Sequence, residues 1–375
     1  MTAPVTTRNP VAQLSDYGQS PWLDYIRRDL MTSGELRHLI EEDGLRGMTS
    51  NPAIFEKSIA SSSDYADLLN DPQYASLSAK AIYEQIAIRD VRDAADVMRS
   101  VYDDTDAYDG YVSLEVAPTL AHDTQGTLEE ARLLWQTVNR PNVMIKVPAT
   151  PEGIPAIRQL ISEGINVNVT LLFAQSAYEQ VAEAYIAGLE TRAAAGGDIS
   201  LIASVASFFI SRIDSKIDAL LSERIKASQD GEKSKLESLL GKVAIANARL
   251  TYQAYLRIFS GARWEALAAK GAQPQRLLWA STSTKNPAYR DVLYVEELIG
   301  RDTVNTMPPA TFDAFRDHGQ LRNAIIEDID GAHTTMKTLS DVGISMDAIT
   351  AQLLDEGVKL FDDAFTKLLL ATNRK

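Results

Sequence analysis

Short apolar runs alternate with longer amphipathic segments from about residue 21 to about residue 310. The runs span 21–26, 45–50, 110–116, 142–148, 165–173, 201–209, 276–284 and 303–308. Segments such as 127–138 and 174–195 lie between them, with apolar residues at helical spacing. Eight strands separated by helices predict an α/β protein, a (β/α)8 barrel in a single unit over 1–375. An open doubly wound sheet is the alternative, but no G-x-G-x-x-G follows the first strand. Two connections are long. The stretch 53–109 has room for more than one helix. The stretch 214–272 holds a charged helix opened by 231–235 and a longer apolar-periodic one running through Trp264. After Thr311 the chain reads as a helical extension packed on the barrel, 311–375, ending in a helix over 346–370. These elaborations are expected to cover the barrel or make a subunit contact and to carry little chemistry. Residues before about Gln13 are expected to be mobile.

Successive side chains of a strand point to opposite faces. Asn166, Asn168 and Thr170 share one face, opposite Ile165, Val167, Val169 and Leu171. Ser113 and Glu115 oppose Val112, Leu114 and Val116, and Asn142, Met144 and Lys146 oppose Val143, Ile145 and Val147. A parallel strand buried on both sides should read as almost continuously apolar. Three consecutive strands with one polar face each therefore predict a polar barrel interior. Such an interior is costly unless its groups satisfy one another or meet a ligand.

Composition narrows the chemistry. Lys and Arg total 37 against 51 Asp and Glu, a net charge of −14, which argues against a nucleic-acid partner or an anionic membrane surface. Cysteine is absent, and the four histidines, His38, His122, His318 and His333, are not at metal-ligand spacing. No metal and no cofactor is expected. The N-terminal stretch has no apolar core and no run spans a bilayer, so the default location is the cytoplasm.

Lys146, inside V-M-I-K-V-P, is the sharpest candidate. Apolar surroundings disfavour an ammonium ion, and a neutral amine is a nucleophile for carbonyl carbon that forms a Schiff base. The competing reading is a structural ion pair, with Glu115 as the partner. Asp24 in P-W-L-D-Y-I lies near the end of the first strand, where barrel catalysts sit, though a surface turn or helix cap would use the same residue. Thr49, Ser50 and Asn51 end the second strand, and Pro52 suits Asn51 to helix capping. Arg212, beside Ser207 and Ser211 at a helix start, could grip a phosphate or simply be a solvated helix arginine. His122 reads as a loop residue. Asn168-Val169-Thr170 matches a glycosylation sequon, but a strand interior makes that a false match.

At G-M-T-S-N-P-A-I-F, N-V-M-I-K-V-P-A-T and G-I-N-V-N-V-T-L-L-F the chain resembles the transaldolase family, in order and from Ser20 to about Thr311. The segment from Ala280 to Pro309 is similar to the longer bacterial form. The resemblance implies a barrel with a Schiff-base lysine at Lys146, a general acid/base at Asp24, and a glutamate working with a bound water at Glu115. It implies substrate contacts from Thr49, Asn51, Asn168 and Thr170, and phosphate contacts from Ser207 and Arg212. Ser281 and Lys285 are further phosphate candidates. Shorter members read S-P-F-V-G-R where this chain has S-F-F-I-S-R, which leaves the arginine in place. The implied activity moves a dihydroxyacetone unit between sugar phosphates in the non-oxidative pentose phosphate pathway. The alternatives are a fructose 6-phosphate aldolase, whose branch has tyrosine where this chain has Phe209, and a catalytically silent phosphosugar-binding barrel. Monomer and homodimer both remain open.

Overall fold

The computed structural model describes residues 8–74 and 76–372. Eight parallel strands close on themselves in sequence order: β1 (Gln19–Asp24), β2 (Gly47–Thr49), β3 (Tyr111–Glu115), β4 (Val143–Pro148), β5 (Val167–Leu172), β6 (Ser204–Phe209), β7 (Arg276–Ala280) and β8 (Thr303–Met307). Closure between β1 and β8, with Gln19 opposite Thr303, excludes the open doubly wound sheet. All eight expected runs hold strands; seven are trimmed at their ends, and β1 starts two residues earlier than expected, at Gln19. The segments 127–138 and 174–195 are the helices Thr124–Val138 and Gln175–Ala194.

Closing the barrel brings neighbouring interior side chains into conflict. Trp22 lies opposite Gly47, and a Cβ on Gly47 would sit 2.3 Å from the indole. Glycine is therefore the residue that lets this ring fill the interior. At the N-terminal ends of the strands, Arg276 of β7 meets Asp109 at 2.9 Å, Ser20 of β1 at 2.8 Å and the Tyr108 carbonyl at 2.6 Å. Ser20 in turn donates to Asp109, and the guanidinium lies over the Tyr108 ring. The pair is buried, and its hydrogen bonds offset the cost of desolvating both charges. This network plugs the bottom of the barrel.

The structure departs from the expectations in three places. The helix expected to run through Trp264 is two helices, Val243–Ile258 and Ala262–Ala268, because Gly261 and Ser260 interrupt it. Leu171 does not continue the outward face of β5. Its φ is +60°, the pairing with β6 shifts between Val169 and Leu172, and its side chain meets the C-terminal helix beside Gly357. Residues 8–13, expected to be mobile, are held. Pro10–Gln13 is a helix capped by Asn9, with Val11 fully buried, while residues 1–7 lie outside the described part. The stretch 53–109 does hold more than one helix: among the described residues, Pro52–Ser61, Ala66–Leu69, Ala79–Val97 and Arg99–Asp104.

The final helix, Met346–Thr372, matters most for the site. It packs on the helix after β2, on Pro118–Leu120 after β3, on β5, and on the helix after β6, Ser211–Ala227. These are all elements at the strands' C-terminal ends, so the helix crosses that mouth. Lys216–Glu356 at 2.6 Å and an edge-on contact of Tyr83 with Phe365 pin it there. Among the described residues no helix is long and apolar enough to cross a membrane.

Replacing Arg276 with Met strands a buried carboxylate and should cost roughly 3–5 kcal/mol of unfolding free energy. Adding Asp109→Leu should recover most of that loss. Urea unfolding of both variants checks this, and a double variant weaker than the single one would refute the role given to the pair.

Candidate active site

The interior faces of β1 to β6 converge on Lys146. Its Nζ donates to the Ser50 carbonyl at 3.2 Å and stands 3.6 Å from Glu115 Oε2. The register Glu115↔Lys146↔Asn168 sets these three side by side on adjacent strands. A separation of 3.6 Å is an ion pair and too long for a direct hydrogen bond, so Oε2 has no hydrogen-bond donor. Burial pushes the Glu115 carboxyl up to about 7, against the pull of the Lys146 charge. Burial also raises Asp24, opposed by Lys146 and by a 2.7 Å hydrogen bond from Thr49 to Oδ1. Thr306 of β8 stands 2.7 Å behind Thr49 and supports the donor. Sequence reasoning missed Thr306, whose strand shows no polar alternation that marks it out.

Asn168 is fixed on both sides. Its amide donates to Ser113 Oγ at 3.0 Å, and its carbonyl accepts from Ser207 at 2.7 Å. The Ser207 proton is thus committed to Asn168 rather than to a ligand. Thr170 Oγ1 is buried without a partner, as is Glu115 Oε2. Asn51 does cap the helix after β2, accepting from Ile54 N at 3.1 Å, and also lines the cavity with its amide nitrogen unspent. Capping and ligand contact are compatible.

A cavity of about 190 Å³ opens above Lys146, lined by Asp24, Thr49, Asn51, Ser207, Phe209 and Arg212, among others. It is smaller than the roughly 300–1,000 Å³ of drug-sized pockets and suits a small polyol. Arg212 and Lys285 line it as well. Arg212 Nη1 is buried with no hydrogen-bond partner, and its guanidinium lies 5.1 Å from the Phe209 ring. Burial lowers the Arg212 guanidinium, and burial plus repulsion from Arg212 lowers the Lys285 ammonium. Lys285 is held by Ser283 at 2.7 Å. Ser281 carries a left-handed φ of +55° and pairs with Ser211 at 2.9 Å, tying the loop after β7 to the helix after β6. Two partly desolvated cations with no facing carboxylate make an anion site.

The cavity also contains Phe361 of the C-terminal helix. Its ring lies 5.7 Å from Lys146 Nζ and 6.0 Å from Arg212. The expectation that the tail carries little chemistry is corrected here: the helix forms a wall of the site. His122 is an exposed loop residue 3.1 Å from Glu152 and takes no part. A larger groove of about 940 Å³ between Gly153–Glu163 and Gln175–Ala194 shares no residue with the cavity. Among the described residues no three His, Asp or Glu side chains come together as a metal site.

A closed (β/α)8 barrel with an amine, two carboxyls and a cationic pocket at its C-terminal mouth is an enzyme of the barrel class. The chain belongs to the transaldolase/fructose-6-phosphate aldolase family, whose model matches residues 21–372. It is 51% identical over 370 residues to a transaldolase of Trichodesmium erythraeum, covering 98% of this chain and 97% of that protein. It is 50% identical to transaldolase 2 of Nostoc sp. over 365 residues, 96% of each chain. A transaldolase of Thiobacillus denitrificans is 47% identical over 96% of this chain and 99% of its own length.

The raised carboxyls make stability pH-dependent. Folded Glu115 holds its proton up to about 7, whereas the unfolded group releases it near its ordinary value of 4.5. The folded state therefore binds more protons across that window, and stability falls as pH rises through it. Asp90, raised by burial to about 6, and Asp214, raised to about 7, act in the same direction. Glu115→Gln should lose less stability between pH 5 and pH 8 than the parent does. An equal loss in thermal scans at the two pH values would count against the buried carboxyl.

Proposed function

We propose that this enzyme is a transaldolase that moves a dihydroxyacetone unit from a ketose phosphate to an aldose phosphate through a Schiff base on Lys146. The observation that carries the reading is one cavity lined by Lys146, which stands beside Glu115, and by the Arg212 and Lys285 cations, with Arg212 Nη1 left without a partner. A sugar phosphate matches that set, since it carries both a reactive carbonyl and a dianion.

The amine of Lys146 attacks C2 of the ketose. Glu115, with its affinity for protons near neutrality, takes and returns protons as the carbinolamine forms and loses water. Glu115 Oε2 and Thr170 Oγ1, both without a partner in the protein, are the groups that take that water's hydrogen bonds in this reading. The iminium draws electrons from the C3–C4 bond. Asp24, oriented by Thr49 and Thr306, accepts the C4 hydroxyl proton, and the bond breaks. The aldose phosphate leaves and an enamine remains on Lys146. An acceptor aldehyde enters and the steps reverse. Asn51 and Asn168 hold the hydroxyls of the covalent unit, and Ser207 positions Asn168. Arg212, Lys285 and Ser281 bind the phosphate, so that remote binding energy fixes the reacting carbon.

The substrates that fit are fructose 6-phosphate or sedoheptulose 7-phosphate as donor, with erythrose 4-phosphate or glyceraldehyde 3-phosphate as acceptor. The exchange belongs to the non-oxidative pentose phosphate pathway. Phe209 offers no proton to the enamine, which favours transfer over release of free dihydroxyacetone.

Borohydride reduction with fructose 6-phosphate should leave a dihydroxyacetone-sized mass on the Lys146 peptide, and Lys146→Met should abolish both adduct and turnover. An active protein with an unmodified Lys146 would sink the mechanism. Glu115→Gln should lower kcat by about 10²–10⁴-fold and remove the acid limb that Glu115 sets near pH 7. Arg212→Ala should raise KM for phosphorylated donors and leave a slow reaction with unphosphorylated fructose unchanged. A uniform loss on both substrates would assign Arg212 elsewhere.

A further inference from the structure

We propose that Phe361 is a specificity-determining residue that controls the fate of the covalent intermediate, its ring keeping water from the carbon bound to Lys146 until an aldehyde arrives. The proposal rests on the Schiff-base reading above. Releasing the unit as free dihydroxyacetone takes a defined set of steps. C3 of the enamine gains a proton, water adds at C2 and loses a proton, and the C2–N bond breaks to return the lysine amine. The proton and the water both come from solvent, so access of solvent to C2 and C3 decides between release and transfer.

The geometry puts one aromatic ring at that point of access. Phe361 is only 8% exposed, and its ring lies 5.7 Å from Lys146 Nζ and 6.0 Å from the Arg212 guanidinium, so it is near both groups. It comes from the helix that crosses the mouth rather than from the barrel wall. Gly357, one turn earlier, lets that helix approach, since a Cβ there would meet Leu171 at 2.9 Å and Arg212 at 3.6 Å. Lys216–Glu356 and Tyr83–Phe365 hold it down on either side of Phe361. Phe209 lines the same cavity. Neither ring carries an exchangeable proton. The face of the Phe361 ring also favours a cation at the Lys146 nitrogen, the charge an iminium carries.

Two rates measured on Phe361→Ala and Phe361→Leu test this: dihydroxyacetone released from fructose 6-phosphate without acceptor, and transfer to erythrose 4-phosphate. The release-to-transfer ratio should rise on the order of tenfold in Phe361→Ala, equivalent to about 1.4 kcal/mol between two barriers. It should rise less in Phe361→Leu, which keeps most of the volume and guards against a folding defect. Borohydride trapping on Lys146 accompanies each assay. A ratio unchanged in both variants, or both rates falling together, with the adduct still formed, would overturn the role of Phe361 and leave the Lys146 reading standing. No adduct in the parent enzyme would overturn that reading, and this inference with it.

Discussion

A charged amine inside a closed barrel is the constraint around which the rest of this molecule is arranged. A barrel interior is ordinarily packed with branched apolar side chains, and an ammonium there is expensive unless its charge and protons are matched. Lys146 is matched by a carboxylate on the neighbouring strand, a carbonyl at the end of β2 and the face of an aromatic ring from outside the barrel. Each partner creates a further requirement. Glu115 desolvates with the lysine and becomes proton-avid, and the strand beside Lys146 needs a polar residue, Asn168, whose own groups are met by Ser113 and Ser207. The polar faces of β3, β4 and β5 are consequences of one buried amine.

The two ends of the barrel solve the problem of buried charge differently. At the N-terminal ends, Arg276, Asp109, Ser20 and Tyr108 satisfy one another in a closed network. At the C-terminal ends, Glu115 Oε2, Thr170 Oγ1 and Arg212 Nη1 are left without partners. Unsatisfied buried polar atoms are costly, and Gln19, Asn142 and Gln275 carry some at the N-terminal ends too, but those of Arg212 in the cavity and of Glu115 beside Lys146 stand where a ligand can supply a partner. The same asymmetry separates stability from chemistry in barrels generally. The C-terminal helix then lowers the exposure of that mouth without satisfying its donors, since Phe361 brings carbon and no acceptor.

Local pattern carried far in this chain. Strand period, the polar faces of β3 to β5, the buried lysine in β4 and the glutamate beside it are all readable, because alternation assigns faces and parallel order assigns neighbours. The same pattern misassigned Leu171, where a bulge turns the side chain toward a helix that lies far along the chain. It fused two helices across Gly261, since apolar spacing persists through a short break. Nor does it show that the Ser207 hydroxyl, which the resemblance assigns to phosphate, donates to Asn168 across β5 and β6.

What the sequence by itself determined is the barrel, the inward direction of Lys146, Glu115 and Asn168, and the residue types that the chemistry needs. These follow from periodicity and from hydrogen-bonding capacity, properties of the chain within a few residues. What only the tertiary structure decided is how those groups are matched: the 3.6 Å spacing of Lys146 and Glu115, the Thr306–Thr49–Asp24 line, the facing of Arg212 by Lys285, and the closure of the mouth by Phe361. Each of these joins segments distant in sequence. Their meeting depends on how strands close and helices pack, which no local pattern encodes.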